Sequence, residues 1–498
     1  MLKIILVSSI WLNVGLLLGR FSGFVREAVV ASVFGASERA DTVVLVLTIP
    51  DLLISILVGG ALGAVLIPRF SDKPDMAKRL LYQSSVVMFF LFSIIALSLF
   101  INVEALVHLL APGFSEAQRV GTSSIMRWVL WLLPVTVLAG AATAFLHSQN
   151  RFFVPALGTL IINSTVIVGI LMTLVWKDTL LLIAGAVVFG GVLRLLSQLS
   201  LVKLKWTPVA ALEPWQIDRQ LCLHYIQAMA SGSLLLLFPV FARAYVSFEP
   251  AGSIAIFNYT LRLIDFPLLL GVTFLATVFF PRLSSSFNES REVHDQWVSL
   301  GLRCTLVLAV VCVAVLLTLN QFYSDFVYGY GKMRVQDLDQ INSLLTIGLI
   351  MIPFQGMAVF LTAVSNSRRN TRTPMLINAV GLILFIIMCQ AELLGSGLTS
   401  VMLTLLVSYI LVSVAFCLSV KIAGKPSLRS LLSIETIFGM LVVIILLFLS
   451  LRWLVDSQLP SILALAIGVV SGATVLAGLA YVSRSHWQNL QSVEPQDQ

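Results

Sequence analysis

The feature that most constrains this chain is the recurrence of apolar stretches long enough to cross a bilayer, spread over all 498 residues. Each crossing of a hydrocarbon core of about 30 Å takes roughly 20 residues of helix. About fourteen such segments can be counted, centred near residues 18, 55, 91, 136, 164, 191, 233, 270, 308, 352, 383, 410, 442 and 470. In lipid every backbone polar group must be satisfied within its segment, so these are expected to be helices; a barrel would need short alternating strands. With 58% hydrophobic and 11% charged residues, the chain has too little polar surface to coat a soluble globule of this size. The expected class is an all-α polytopic membrane protein with no soluble domain. The apolar run after Lys3 is read as the first spanning helix and not as a signal peptide, because it continues into Gly19 and Arg20 with no small-x-small cleavage site. Cys222, Cys304, Cys312, Cys389 and Cys417 lie in or beside apolar segments without CxxC spacing, as small core residues do.

Lysine and arginine bias sets the orientation. With the N-terminus inside, the inner loops carry eighteen of these residues, among them Arg69, Lys73, Lys78, Arg79, Arg368, Arg369 and Arg372. The outer loops carry six: Arg39, Arg119, Lys177, Lys332, Arg334 and Arg452. Both termini are therefore expected in the cytoplasm. The net charge of +7 needs no nucleic-acid partner, since cytoplasmic loops beside anionic headgroups account for it.

The chain also repeats itself. At an offset of 219 residues, Pro134, Ala139, Thr143, Ala144, Ser148, Pro155 and Leu157 match Pro353, Ala358, Thr362, Ala363, Ser367, Pro374 and Leu376 without a gap. The second segment ends IPRF (Ile67–Phe70) and the eighth FPRL (Phe280–Leu283). A shift of six segments keeps the copies pointing the same way, which implies two parallel-repeat six-helix lobes with a binding site between them. The lobes are drawn at residues 1–205 and 206–424, leaving 425–498 as a terminal helix pair and cytoplasmic tail.

Charge is written into segments that should be in the membrane. Arg20, Arg26 and Glu27 fall in or at the end of the first, Asp41 and Asp51 in the second, and Arg262 and Asp265 in the eighth. A charge at membrane depth costs about 2.5–3.5 kcal/mol on insertion scales, so such residues normally face a protein interior or a polar cavity. Arg20 and Glu27, seven apart, can share a helix face, as can Arg262 and Asp265, three apart. Arg26 has no acidic partner at helical spacing in its own segment, which makes it the leading candidate for a ligand contact. An arginine fork binds phosphate oxygens bidentately and keeps its charge in a low dielectric. The bland alternatives are an Arg262–Asp265 pair that fixes helix register and an Arg26 that snorkels to headgroups. Gly23, Pro50, Gly60 and Pro267 accompany the charges as candidate breaks or hinges, in the way interrupted helices line transport paths. No paired carboxylates with a nucleophile, phosphate-cradling loop or metal-spaced histidines suggest an enzyme.

The stretch GRFSGFVREAVVASVFGASERADT (Gly19–Thr42) resembles the first-helix signature of the MurJ/MviN family, lipid II flippases of the multidrug/oligosaccharidyl-lipid/polysaccharide exporter superfamily. The likeness extends to LLAPGF, RFFVPALGTLIIN, AGSIAIFNYTLRLIDFP, FFPRLSSSF and YGKMRVQDL. It implies fourteen helices and translocation, by alternating access, of an undecaprenyl-diphosphate-linked saccharide across the bacterial inner membrane. It also implies that Arg20, Arg26 and Arg262 hold the diphosphate. Asp41, with Glu27, Asp51 and Asp265, would then serve in gating or in orienting charge. The terminal pair would hold the polyprenyl tail.

One stretch departs from the family. Where its second helix typically runs K-L-P-N-L-L-R-R-I-F-A-E-G, this chain has Thr48-Ile-Pro-Asp-Leu-Leu-Ile-Ser-Ile-Leu-Val-Gly-Gly60, with Thr48, Ile54, Ser55 and Gly59 at charged positions. The expectation drawn from this is a re-tuned headgroup site. The favoured cargo is an exopolysaccharide or surface-polysaccharide repeat unit; lipid II for peptidoglycan synthesis is the alternative. A cation-coupled drug exporter and a non-transporting polysaccharide-assembly subunit are lesser alternatives. The partners expected are the polyprenyl-diphosphate-linked glycan, membrane lipids, and polysaccharide polymerase or glycosyltransferase neighbours. No organic cofactor and no metal is expected; membrane potential or a monovalent ion would drive the cycle.

Overall fold

A computed structural model of the chain describes residues 2–53, 55, 62–72, 74–176, 180–202, 215, 217–368, 370–422, 425–426, 463, 466–468 and 470–473. Ile54, Gly59 and Gly60 lie outside the described residues, as does most of the terminal pair expected after residue 425. In chain order the first helices are α1 (Leu2–Phe34), α2 (Glu38–Leu53), α3 (Leu62–Asp72), α4 (Pro74–Ile101), α5 (Val103–Leu110), α6 (Glu116–Val129) and α7 (Leu132–Ser148). There follow α8 (Phe153–Ala156), α9 (Gly158–Val175), α10 (Leu181–Val202), α11 (Arg219–Val246) and α12 (Ser253–Pro267). A π-helical turn, Leu268–Val272, leads into α13 (Thr273–Glu289), α14 (Arg291–Thr318), α15 (Asn320–Tyr328) and α16 (Val335–Leu349). The last are α17 (Met351–Ser367), α18 (Arg372–Gln390) and α19 (Leu398–Ser419). A two-residue antiparallel ladder, β1 (Lys421–Ile422) on β2 (Lys425–Pro426), is the exception to helix among the described residues.

The chain is all-α, as its hydropathy requires. Among the described residues, seven helical stretches are long and apolar enough to cross a membrane, or up to eight if α16 and α17, bent by 45°, form one span. That is short of the fourteen counted along the sequence. Phe90 and Ile94 on α4 are 62% and 66% exposed, the outward apolar face expected of a helix against lipid.

Local signals explain several element ends. Ser115 and Gln118 form a reciprocal capping box at the start of α6. Asp218 accepts from the Leu221 N–H to cap α11, and Ser290 caps α14 through Val293. The end of α1 is set by Gly35, whose φ of +63° is left-handed and whose N–H bonds the Ala31 carbonyl. A Cβ there would lie 2.7 Å from the Lys332 carbonyl oxygen, so space as well as backbone calls for glycine. The internal repeat has a structural counterpart: α7 and α17 are both 17 residues long, both begin two residues before the matched proline, and both ends are offset by 219.

Contacts divide the molecule into two compact units, each assembled from separate pieces of chain. The first comprises Met1–Arg262, Tyr330–Gln340 and Pro374–Ser408. In it α1 packs on α8 and α9, α10 on α7 and α9, and α3 and α4 on α7. Small residues permit the closest approaches, such as Gly190 against Thr165 and Gly169 against Ala186. The second comprises Leu263–Gly329, Ile341–Thr373 and Tyr409–Gln498. There α13, α14 and α17 pack around Phe279 and Phe360, whose rings meet edge to face at 6.0 Å. Arg368 closes this unit's polar end: it donates to His294 Nε2 at 3.0 Å, to Asp295 at 3.1 Å and to the Lys421 carbonyl at 2.9 Å. These are units of contact; the lobe boundaries at 205 and 424 are a matter of chain repeat.

Candidate functional site

Within the first unit, most of the intramembrane charges converge. Arg26, buried on α1, donates Nη2 to Glu27 Oε1 at 2.7 Å and to Asp51 Oδ2 at 2.9 Å. Its Nη1 donates to Asp51 Oδ1 at 3.1 Å and to Asn163 Oδ1, on α9, at 3.0 Å. Arg262, on α12, donates Nη2 to Asp51 Oδ2 at 2.6 Å, and its Nε stands 3.7 Å from Glu27 Oε1. Asn258 Nδ2 donates to Glu27 Oε2 at 3.0 Å and its oxygen accepts from Arg243, on α11, at 2.7 Å. On the far side Asn163 donates to Ser22 Oγ at 3.0 Å and to the Gly19 carbonyl at 3.3 Å.

The result is one connected network over α1, α2, α9, α11 and α12, with Arg26, Arg243 and Arg262 against Glu27 and Asp51. Three guanidiniums to two carboxylates leave one positive charge uncompensated within these five residues. Most of the network is dry: Arg26, Glu27 and Asn258 are each 2% exposed. Asp51 and Arg262 are its open side, with side chains 30% and 29% exposed. A low-dielectric surround strengthens every ion pair here, and the net positive charge of these five residues, with Arg262 on the open face, suits an anion.

Several expectations need correction. Arg26 is neither unpartnered nor a snorkelling residue: its partners are its chain neighbour Glu27 and Asp51 from another helix, which a search at i+3 and i+4 within one segment passes over. Glu27 pairs with Arg26 and Arg262. Arg20 lies six residues before Arg26 on α1 and is partly exposed. Arg262 makes a short contact with Asp51, at 2.6 Å, a partner on another helix that helical spacing does not find. Gly23 does not break α1, which runs unbroken from Leu2 to Phe34; a Cβ there would sit 3.4 Å from Asn163 Nδ2, so the small residue makes room for that amide. Pro50 lies inside α2, and Pro267 is followed by the π-helical turn. Asn163 and Arg243 were missed, although each is a lone polar group in an apolar run, the pattern that marks an intramembrane polar site. Arg194 was missed in the same way: it is 3% exposed on α10, and its Nε and Nη1 have no hydrogen-bond partner.

A second constellation binds the same helices at their other end. Asp41, 2% exposed near the start of α2, accepts from the N–H groups of Gly252 at 2.6 Å and Ala255 at 2.7 Å. It therefore neutralises the first turn of α12 and does not orient an arginine. Tyr259 donates its hydroxyl to the Gly35 carbonyl at 3.0 Å, and the Lys332 N–H donates to the Ser32 carbonyl at 2.9 Å. Gly252, with φ +95°, lies so close to Ala36 that a Cβ would come within 2.7 Å of its backbone. These segments belong to the outer loops in the sequence-derived topology, and the bonds join the end of α1 and the start of α2 to the start of α12.

Comparison with known proteins gives the following. Residues 30–481 match the family model described as lipid II flippase MurJ. A probable lipid II flippase MurJ of Buchnera aphidicola subsp. Baizongia pistaciae is 28% identical over 395 residues, 76% of each chain. The lipid II flippase MurJ of Burkholderia cenocepacia is 25% identical over 391 residues, 74% of each. Among solved structures, a lipid II flippase MurJ in an inward closed conformation superposes with a TM-score of 0.81 at 19% identity, covering 96% of this chain and 99% of the other. An inward-facing multidrug resistance transporter of the MATE family, in the MOP superfamily, gives 0.67 at 12% identity, covering 79% and 92%.

Proposed function

This chain belongs to the lipid II flippase MurJ family, and from that premise we propose that it carries lipid II from the inner to the outer leaflet of the bacterial inner membrane. It is a flippase, a transporter of a lipid-linked substrate and not a catalyst of bond changes. The observation that carries the assignment of the site is the convergence of Arg26 and Arg262 on one partly exposed carboxylate inside a network whose five charged residues carry one net positive charge. In this reading the two arginines, with Arg20 further along α1, take the diphosphate by charge-assisted bonds, and Glu27 and Asn258 hold the arginines in place. Asp41 and its two backbone donors keep the outer end closed while the headgroup enters from the cytoplasm, and alternating access follows when those bonds exchange. Membrane potential or a monovalent ion supplies the work, without an organic cofactor. Six-helix lobes at 1–205 and 206–424, a terminal pair after 425, fourteen spans and cytoplasmic termini complete the reading.

The preference for an exopolysaccharide unit gives way to lipid II. The relatives named above are lipid II flippases, and at least one departure behind that preference has a local explanation. Thr48 is buried and donates its hydroxyl to the Val44 carbonyl at 2.8 Å, so it serves its own helix and not a headgroup.

The test uses two depletion strains, one lacking its lipid II flippase and one lacking an exopolysaccharide flippase, each complemented by this chain. Growth rescue in the first, lost in an Arg26→Ala, Arg262→Ala version, is the expected result. Polymer export in the second strain without growth in the first would return the assignment to a polysaccharide unit.

A further inference from the structure

We propose that the Asp51 carboxylate is an internal stand-in for the substrate's phosphate: it occupies the arginine site when the carrier is empty and is displaced when the diphosphate arrives. The proposal rests on the reading of Arg26 and Arg262 as the diphosphate's partners and adds how that site is regulated.

Four observations carry it. Asp51 receives what an arginine-bound phosphate receives. Its two oxygens take both terminal nitrogens of Arg26, at 3.1 and 2.9 Å, and one of them is bridged by Arg262 at 2.6 Å. Glu27, the other carboxylate, is locked in: it is 2% exposed and its second oxygen is held by Asn258 at 3.0 Å. Asp51 has no amide partner of this kind among its bonds, being held by the two arginine forks, and at 30% exposure it lies on the open side of the network. Its backbone position is also suited to movement. Pro50 immediately precedes it and lacks the N–H that would bond the Val46 carbonyl, so the turn of α2 that carries Asp51 is short of one helix hydrogen bond. Finally, the charges add up: with Asp51 in place the five charged residues carry one net positive charge, and with Asp51 swung out Arg26, Arg243 and Arg262 face Glu27 alone with two.

An empty carrier that exposed two free guanidiniums would bear a large desolvation cost on its return stroke. Asp51 removes that cost by filling the site itself, and an anion that binds both arginines must first compete with it. Small anions with a single weak contact lose this competition; a diphosphate, with oxygens enough for both forks, wins it. Asp51 thus sets a threshold of anion strength.

The experiment is binding of farnesyl diphosphate, a short prenyl diphosphate, to the purified full-length chain in detergent, by titration calorimetry with thermal melting alongside. Asp51→Asn keeps the shape and removes the charge; Asp51→Ser removes both and serves if the first does not fold. Either variant is expected to bind farnesyl diphosphate about tenfold more tightly than the wild type, since a charge-assisted competitor of this kind is worth a factor of that order. Its melting temperature should fall without ligand and recover with it. Equal or weaker binding by a folded Asp51 variant, while Arg262→Ala abolishes binding, would overturn the stand-in and leave the diphosphate site intact. Absence of binding to the wild type and to every variant would overturn both.

Discussion

Two aspartates ten residues apart on α2 are used in opposite ways. Asp41 is 2% exposed and accepts only from backbone, the N–H groups of Gly252 and Ala255. Asp51 is 30% exposed and accepts only from side chains, the guanidiniums of Arg26 and Arg262. Backbone donors stay where the helix puts them, so Asp41 fixes a geometry. Arginine forks can turn to another acceptor, so Asp51 holds a place that something else can take. One helix thus carries a clamp near its start and an exchangeable counter-ion ten residues on.

Substitutions can break this contrast. The largest effect is expected from Arg26→Ala with Arg262→Ala, which removes what Asp51 holds: transport, read as rescue of a flippase-depleted strain, should drop about a hundredfold or more. Next, Asp41→Ala strands two buried N–H groups, at about 1–3 kcal/mol each, and should lower the melting temperature clearly more than Asp51→Ala does. Equal losses at the two positions would erase the distinction between clamp and counter-ion. Gly252→Ala probes the clamp from the other side. A side chain at φ +95° against the Ala36 backbone should cost about 1–3 kcal/mol and raise thiol labelling of a Ser37→Cys reporter.

Asp218 supplies the smallest and sharpest case, because it joins both kinds of partner in the open. It accepts from the Leu221 N–H at 2.7 Å and from Arg69 at 3.0 Å, and these bonds hold its carboxyl below the usual carboxylate range. A carboxyl whose pKa is lowered by folding stabilises above its unfolded pKa, and that contribution fades as pH falls through the folded value. The melting temperature of wild type and Asp218→Asn should therefore differ slightly at neutral pH and converge in acid. A gap that widens in acid would refute the cap.

The class of fold was legible because hydropathy is a per-segment property that lipid enforces. The partners of the charges were not, because they are a tertiary matter. Helical spacing finds neighbours at i+3 and i+4; Arg26 instead bonds Glu27 at i+1 and Asp51 twenty-five residues on. Asn163 lies 137 residues from Arg26 and Arg243 on a different helix from every other cation of the network. Gly23 misled for a related reason: glycine in a membrane helix marks a close approach as readily as a break, and here the neighbour is Asn163.

The chain of bonds from Ser22 through Asn163, Arg26, Glu27 and Asn258 to Arg243 has a consequence for descent. Each member bonds the next through a buried polar group, so a lone replacement weakens a buried neighbour and is selected against, while a matched pair of replacements passes. Lineages of this protein should therefore drift at these positions in couples, with 27 tracking 258 and 26 tracking 163, and the pattern of paired change would record the network in sequences alone.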